Sequence, residues 1–346
     1  MSNQYVEQGL RSPVNLTWEV TLACNLRCTH CLSSSAEAVP DELTTAEALD
    51  LVEQIHAARV FQINFGGGEP FMRPDFLQII DACHARRIMT CISTNGTLLD
   101  AALVERLAQS RLVAIQVSLD GASQKTCEAI RGPGTYAAAI GALKLLAKTR
   151  IPSSINTVLT RQNAAEIPAL HALAKELGVA LRVSRFRPSG RGAANWEALH
   201  PTPSQLLEFS DWLSNSGEVR TGDSFFSLTS QERQGLGLNL CGAAKLTGCV
   251  SPTGKVYPCA FLQTARFEAG DLRRQSFQQI WDNSEIYASF RNLRIHSCEE
   301  CKRFEQCHGG CPAVAWHLKN DLNGGDPECL ERCVTSIADE KKTAAA

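Results

Sequence analysis

Net charge, long apolar runs and an export signal are all missing from this chain, and each absence removes a class of function. Its 346 residues balance 34 Lys and Arg against 36 Asp and Glu. The resulting formal charge of -2 gives no electrostatic case for nucleic acid or an anionic membrane as a partner. No apolar run approaches a membrane span, and the opening residues MSNQYVEQGLRSP lack an apolar stretch of signal-peptide length. The expected location is the cytoplasm. Repeats, low-complexity tracts and coiled-coil heptads are absent as well. A hydrophobic content of 44% is ordinary for a globular protein, and the length suggests roughly two domains.

Cysteine is what the chain has in excess, with 15 residues. A disulfide framework fits poorly, because no export signal precedes it and the cytosol keeps thiols reduced. Close Cys spacings in such a protein point to metal instead. Most of the thiols fall in two groups, at 24–31 and across 241–333, which favours separate metal centres.

Between Leu16 and Phe186, short β-branched runs alternate with amphipathic stretches. Strands are expected at Leu16–Thr21, Phe61–Phe65, Met89–Ser93, Val113–Leu119, Ile155–Thr160 and Leu181–Phe186. Helices are expected at Thr44–Ala57, Asp75–Arg86, Leu98–Ala108, Tyr136–Lys148 and Ala164–Leu177. Such alternation implies right-handed crossovers and a parallel sheet, either an incomplete barrel or an open doubly wound sheet. The polar motifs follow the strands: Cys24–Cys31 the first, Gly66-Gly67-Gly68-Glu69-Pro70 the second and Ser93-Thr94-Asn95-Gly96 the third. Ser118-Leu119-Asp120-Gly121 closes the fourth strand, and Asn156 lies on the fifth. In a barrel all of them converge on the carboxyl-end face, where barrel active sites are built. Beyond Arg187 one further helix is expected at Pro203–Leu213 and one periodic stretch at Phe277–Leu293. The Gly-, Pro- and Cys-rich remainder needs metal ligation for part of its folding energy.

Cys24-Asn-Leu-Arg-Cys28-Thr-His-Cys31 is a C-x3-C-x2-C motif. Three thiolates in a short loop can hold three irons of a [4Fe–4S] cubane and leave the fourth without a protein ligand. A zinc site completed by His30 is the alternative on donor count. Glycines after a strand let backbone approach a ligand closely. The C-terminal group reads Cys241-x7-Cys249-x4-Gly254-x4-Cys259, then Cys298-x2-Cys301-x5-Cys307-x3-Cys311, then Cys329 and Cys333. Auxiliary iron–sulfur clusters and a pair of zinc knuckles are both open readings of it. Cys83 and Cys91 read as packing residues of a helix and a strand, and Cys127 as an ordinary thiol.

These motifs resemble the radical S-adenosylmethionine (SAM) superfamily, and the C-terminal set resembles its SPASM domain. The resemblance implies a partial (β/α)6 barrel over 14–190, a linker over 191–234, a SPASM domain over 235–333 and a disordered tail over 334–346. By analogy, Cys24, Cys28 and Cys31 hold a [4Fe–4S] cluster whose open iron is chelated by SAM. Gly67, Gly68, Glu69, Ser93, Asn95, Ser118, Arg131 and Asn156 stand where the superfamily places SAM contacts, with Arg131 on the carboxylate of SAM. His30 replaces the aromatic often found before the third cysteine. Cys241, Cys249, Cys259 and Cys311 correspond to the ligands of a first auxiliary cluster. Cys298, Cys301, Cys307 and Cys329 correspond to those of a second, with Cys333 as a possible exchange for Cys329.

The finer resemblance is to the mycofactocin maturase family. It is carried by Leu16-Thr17-Trp18-Glu19, Cys31-Leu32-Ser33-Ser34-Ser35, Arg187-Pro188-Ser189-Gly190-Arg191-Gly192, Thr221-Gly222-Asp223-Ser224-Phe225-Phe226, Leu238-Asn239-Leu240-Cys241-Gly242 and Asp326-Pro327-Glu328-Cys329. That implies oxidative decarboxylation of the C-terminal tyrosine of a small ribosomal peptide, started by hydrogen abstraction at its Cβ. A carbon–carbon bond to the preceding valine follows. Other SPASM maturases forming thioether or carbon–carbon links on a different residue are the alternative. An electron-transfer iron–sulfur protein is a more distant one. Ala260 stands where sulfatase-type oxidases of the superfamily carry a catalytic Asp, which argues against formylglycine formation. Arg185, Arg187 or Arg191 is expected to grip the peptide's terminal carboxylate bidentately, with Asp223 as a further substrate contact. Only residues 1–15 precede the first expected strand. A separate carrier protein is therefore expected to bind the leader of the precursor peptide, and a flavodoxin or ferredoxin-type protein to donate electrons.

Overall fold

A computed structural model of the chain describes residues 9–216, 219–221, 241–302 and 304–329. Asp223 and Cys333 lie outside the described residues.

Six parallel strands, β1 (Asn15–Thr21), β2 (Gln62–Gly67), β3 (Met89–Thr94), β4 (Val113–Ser118), β5 (Ser153–Leu159) and β6 (Ala180–Arg185), follow one another in sequence order across one sheet. Helices Thr45–Ala57, Phe76–Ala85, Ala101–Leu107, Thr135–Leu146 and Ile167–Glu176 form the crossovers. β7 (Arg220–Thr221) extends the β6 edge. On the other edge stand β8 (Thr247–Val250), β9 (Lys255–Tyr257) and β10 (Gly270–Asp271). Since β1 and β6 do not pair with each other, the arc stays open, a partial (β/α)6 barrel rather than a closed one.

Strand periodicity separates the two faces of this arc. Leu16, Trp18 and Val20 of β1, Ile63 and Phe65 of β2, and Ile115 and Val117 of β4 are wholly buried in the helix-backed core. The alternate positions are polar. Gln62 donates to Asn64, Gln116 to the sulfur of Cys91, and Ser184 to Asn156. The concave side is therefore built for polar contacts, unlike the branched aliphatic layers that fill a closed barrel.

The cysteine-rich region is joined to this sheet rather than set apart from it. β8 pairs in parallel with β1, placing Cys249 opposite Thr17. The region also buries more apolar surface than its composition suggested. Phe277, Trp281, Tyr287 and Val314 are almost fully buried in the same core as Trp18 and Phe65. The periodic stretch expected at Phe277–Leu293 forms two helices, Phe277–Asn283 and Glu285–Arg291. Ser284 takes an extended backbone between them and caps the second by accepting from the N–H of Tyr287. Helices Gln124–Arg131 and Pro312–Lys319 were not expected, nor were the single turns Arg191–Ala194, Trp196–Leu199 and Phe304–Cys307; Gln124–Arg131 is capped by Ser123 and buries Cys127 and Ile130.

Candidate functional site

The loop after β1 carries Cys24, Cys28 and Cys31 and is fixed from several sides. The N–H of Cys24 donates to Ala36 and that of Thr29 to Ile130. Arg191 donates to the carbonyls of Cys28 and Ser35, each at 3.0 Å. The three thiols face one another electrostatically. Burial pushes the Cys24 thiol up, and Cys28 and Cys31 add to the rise. Burial also raises Cys28, with the guanidinium of Arg131 opposing and Cys31 adding to it.

The glycine-rich loop lies directly against this one. At Gly68 a Cβ would sit 2.0 Å from the carbonyl oxygen of Ala23, and at Gly67 (φ +106°) it would sit 2.5 Å from that of Thr21. Only glycine lets the two loops approach so closely. Ser33 adds a bridge, donating to the carbonyl of Gly67 at 3.2 Å while its oxygen lies 3.7 Å from the sulfur of Cys31.

Glu69 is turned under its own loop. Its carboxylate accepts from Thr94 Oγ1 at 2.8 Å, the N–H of Asn95 at 2.8 Å and the N–H of Phe71 at 3.3 Å. Burial outweighs these donors and pushes the carboxyl up to about 7. Glu69 therefore ties the glycine loop to the end of β3. Asn95 continues the tie by donating to Asn25 of the cysteine loop at 2.8 Å. Ser118 and Asn156 sit opposite each other on β4 and β5, and Ser93 opposite Gln116 on β3 and β4. These three line the concave side at its carboxyl end.

Asp120 holds a buried charge cluster beside the cysteines. Its Oδ2 lies 2.6 Å from Arg131 Nε and 3.0 Å from His30 Nε2, and its Oδ1 accepts from the N–H of Val158 at 2.7 Å. Arg131 also lies 3.9 Å from the sulfur of Cys28 and 3.5 Å from His30. All three guanidinium nitrogens are thus placed against protein partners.

Among the C-terminal thiols, Cys307 is raised by burial and then by Cys298, Cys301 and Cys329. Cys249 is pushed well above the usual thiol range by burial, and Glu19 and Cys259 add to it. Glu19 itself is buried on β1 and rises to about 7, against a hydrogen bond with Gln263. Cys241 and Cys311 pack at the same core. No group of three or more His, Cys, Asp or Glu side chains is arranged for a single metal ion among the described residues. The donor sets are thiols alone, the soft ligands that iron–sulfur clusters take, and His30 is engaged by Asp120 rather than aimed at a zinc site.

Two of the three arginines expected to grip substrate do other work. Arg185 is bound by Asp326 and Glu328, and Arg191 by backbone carbonyls of the cysteine loop. Arg187 lies with its guanidinium 3.9 Å over the ring of Phe261, two residues beyond Cys259. The acidic partners of Arg185 come from a segment 141 and 143 residues away, and no local sequence signal pairs them.

Two loops that interlock around three thiols, with all-thiolate sets beyond, define a radical SAM enzyme that carries auxiliary clusters. Residues 18–174 match the Radical SAM superfamily, and residues 241–311 match SPASM, an iron–sulfur cluster-binding domain. The chain is 42% identical over 331 residues to the mycofactocin maturase MftC of Mycobacterium ulcerans, covering 94% of this chain and 90% of that protein. It is 31% identical to the AdoMet-dependent heme synthase of Methanosarcina barkeri, covering 93% and 97%. The fold matches Streptococcus suis SuiB bound to S-adenosylmethionine with a TM-score of 0.77 at 20% identity, covering 93% of this chain and 78% of that one. The chain belongs to the mycofactocin maturase family of radical SAM/SPASM enzymes.

Proposed function

We propose that this enzyme matures a small ribosomal peptide ending in Val-Tyr, in the cytoplasm. In this reading it removes the terminal carboxyl oxidatively and then joins the shortened residue to the valine by a carbon–carbon bond. The likeness to mycofactocin maturase over 94% of the chain carries the reading. The alternate relatives at lower identity share less of the sequence.

When bound and reduced, the N-terminal cluster would supply the electron that splits SAM into methionine and a 5′-deoxyadenosyl radical. Cys24, Cys28 and Cys31 would hold that cluster. The backbone of Gly67 and Gly68 and the side chains of Ser93, Ser118 and Asn156 would hold SAM, while Glu69, Asn95 and Arg131 fix the loops around it. The peptide loses one hydrogen atom from the tyrosine Cβ, then carbon dioxide and one further electron, which needs an acceptor. The auxiliary clusters, when bound, would supply that acceptor. Cys241, Cys249, Cys259 and Cys311 would hold the first, and Cys298, Cys301, Cys307 and Cys329 the second. In this reading Arg187, whose guanidinium lies over Phe261 beside the Cys259 segment, grips the terminal carboxylate. A separate carrier protein would present the leader, and a flavodoxin or ferredoxin-type protein would reduce the clusters.

The test is mass spectrometry of a Val-Tyr peptide incubated with reduced enzyme, SAM and the carrier. A loss of carbon dioxide plus two hydrogens is expected. Loss of two hydrogens alone, as a simple cross-link gives, would overturn the reading.

A further inference from the structure

Arg185 ends β6, and its side chain is almost wholly buried. NH1 and NH2 both donate to the carboxylate of Asp326, the latter at 2.6 Å from Oδ1, and Nε donates to Glu328 Oε2 at 2.5 Å. Glu328 is held in turn by His200 Nε2 at 2.5 Å. A buried guanidinium facing two carboxylates is costly to desolvate unless the hydrogen bonds are complete, and here every nitrogen is used.

Asp326 then reaches toward both auxiliary ligand sets. Its Oδ2 accepts from the N–H of Cys311 at 2.9 Å, and its own carbonyl accepts from the N–H of Cys329 at 3.4 Å. The N–H of Asp326 is fixed as well, donating to Gly309 at 2.9 Å. Gly310 (φ +81°) passes so near that a Cβ there would lie 2.2 Å from Asp326 Cβ. One residue therefore contacts a ligand assigned to the first auxiliary cluster through its carboxylate and a ligand assigned to the second through its backbone carbonyl, and a single barrel arginine anchors it.

We propose that Arg185 and Asp326 are a positioning pair through which the barrel fixes both auxiliary clusters and sets their reduction potentials together. This rests on the ligand assignment proposed above. A cluster surrounded by thiolates responds to nearby fixed charge and to the hydrogen bonds that orient its ligands. Removing the charge of Asp326 leaves the guanidinium less compensated, which favours the reduced clusters. Removing the charge of Arg185 does the opposite.

The experiment is a redox titration of the intact enzyme followed by electron paramagnetic resonance, which resolves the three clusters. Asp326→Asn should move both auxiliary potentials upward, and Arg185→Gln should move both downward, with the N-terminal cluster unmoved. Arg185→Lys, which keeps the charge, should return both toward the wild-type values. If either variant sheds auxiliary iron, the proposal requires that both auxiliary signals fade together while the N-terminal one remains. Shifts of the same sign in both variants, or a change confined to one auxiliary cluster, would overturn it. Cys311→Ala and Cys329→Ala test the assignment separately, since each should abolish a different auxiliary signal. If both abolish the same one, the assignment fails whatever the pair does.

Discussion

Asp120 and Arg131 form a buried ion pair, Oδ2 to Nε 2.6 Å, immediately beside the cysteine loop proposed to seat the catalytic cluster. The aspartate is wholly buried, and the guanidinium beside it holds its carboxyl well below the usual carboxylate range. Because His30 shares the same oxygen at 3.0 Å, one carboxylate orients both His30 and the arginine that lies against the sulfur of Cys28.

Breaking that pair should be expensive. Asp120→Ala leaves a buried guanidinium uncompensated, and removing one partner of such a pair destabilises by about 3–5 kcal/mol. Denaturant unfolding under anaerobic conditions measures it. The double variant Asp120→Ala, Arg131→Met should recover part of the loss, since the orphaned charge is gone. A loss below about 1 kcal/mol for the single variant would show that the pair behaves as a solvent-exposed one.

Gly68→Ala should separate SAM binding from cluster binding. The new methyl group would press on the carbonyl of Ala23 and push the glycine loop off the cysteine loop. SAM affinity should fall at least about tenfold, equivalent to 1.4 kcal/mol, while iron content holds. Equilibrium binding of SAM to the reconstituted protein reads it. Unchanged affinity would mean that the loop contact does not shape the cofactor site.

Much of this architecture was legible in the chain itself, because short β-branched runs alternate with amphipathic stretches and turn into motif-bearing loops. All six barrel strands lie within two residues of expectation at both ends, and each of the five helices expected between them is present where its periodicity put it. What was hidden is non-local. The pairing of β8 with β1 joins Asn15 to Thr247, and nothing near either residue announces the other. The arginines after the sixth strand all read as candidate grips for substrate, yet the acids that claim Arg185 lie beyond Cys311 in sequence. The break at Ser284 was available from its capping preference but was masked by the apolar periodicity on either side. The helix at Gln124–Arg131 had the same kind of cue in Ser123, with only Cys127 and Ile130 to mark its apolar face.

For Arg187, a double comparison isolates the proposed grip. Wild-type enzyme should bind the C-terminal amide of the peptide more weakly than the acid by about 1.5–3 kcal/mol, the range for hydrogen bonds to charged groups. Arg187→Gln should bind acid and amide alike. If the variant still prefers the acid by the wild-type margin, the carboxylate is held elsewhere.

Loss of an auxiliary cluster should uncouple the two halves of the reaction. Cys249→Ala leaves Cys24, Cys28 and Cys31 intact, so 5′-deoxyadenosine should continue to form with peptide present. Decarboxylated peptide per 5′-deoxyadenosine should fall, because the second electron has lost its acceptor. Chromatography of both products from the same reaction gives the ratio, and a ratio equal to that of the wild type would remove the auxiliary cluster from the electron route.

The most direct measurement is whether anaerobically reconstituted enzyme, reduced and supplied with SAM and peptide, releases 5′-deoxyadenosine. Release is predicted for the wild type, with none from Cys28→Ala. If the wild type retains its iron yet leaves SAM intact, then Cys24, Cys28 and Cys31 do not seat a cluster that splits SAM.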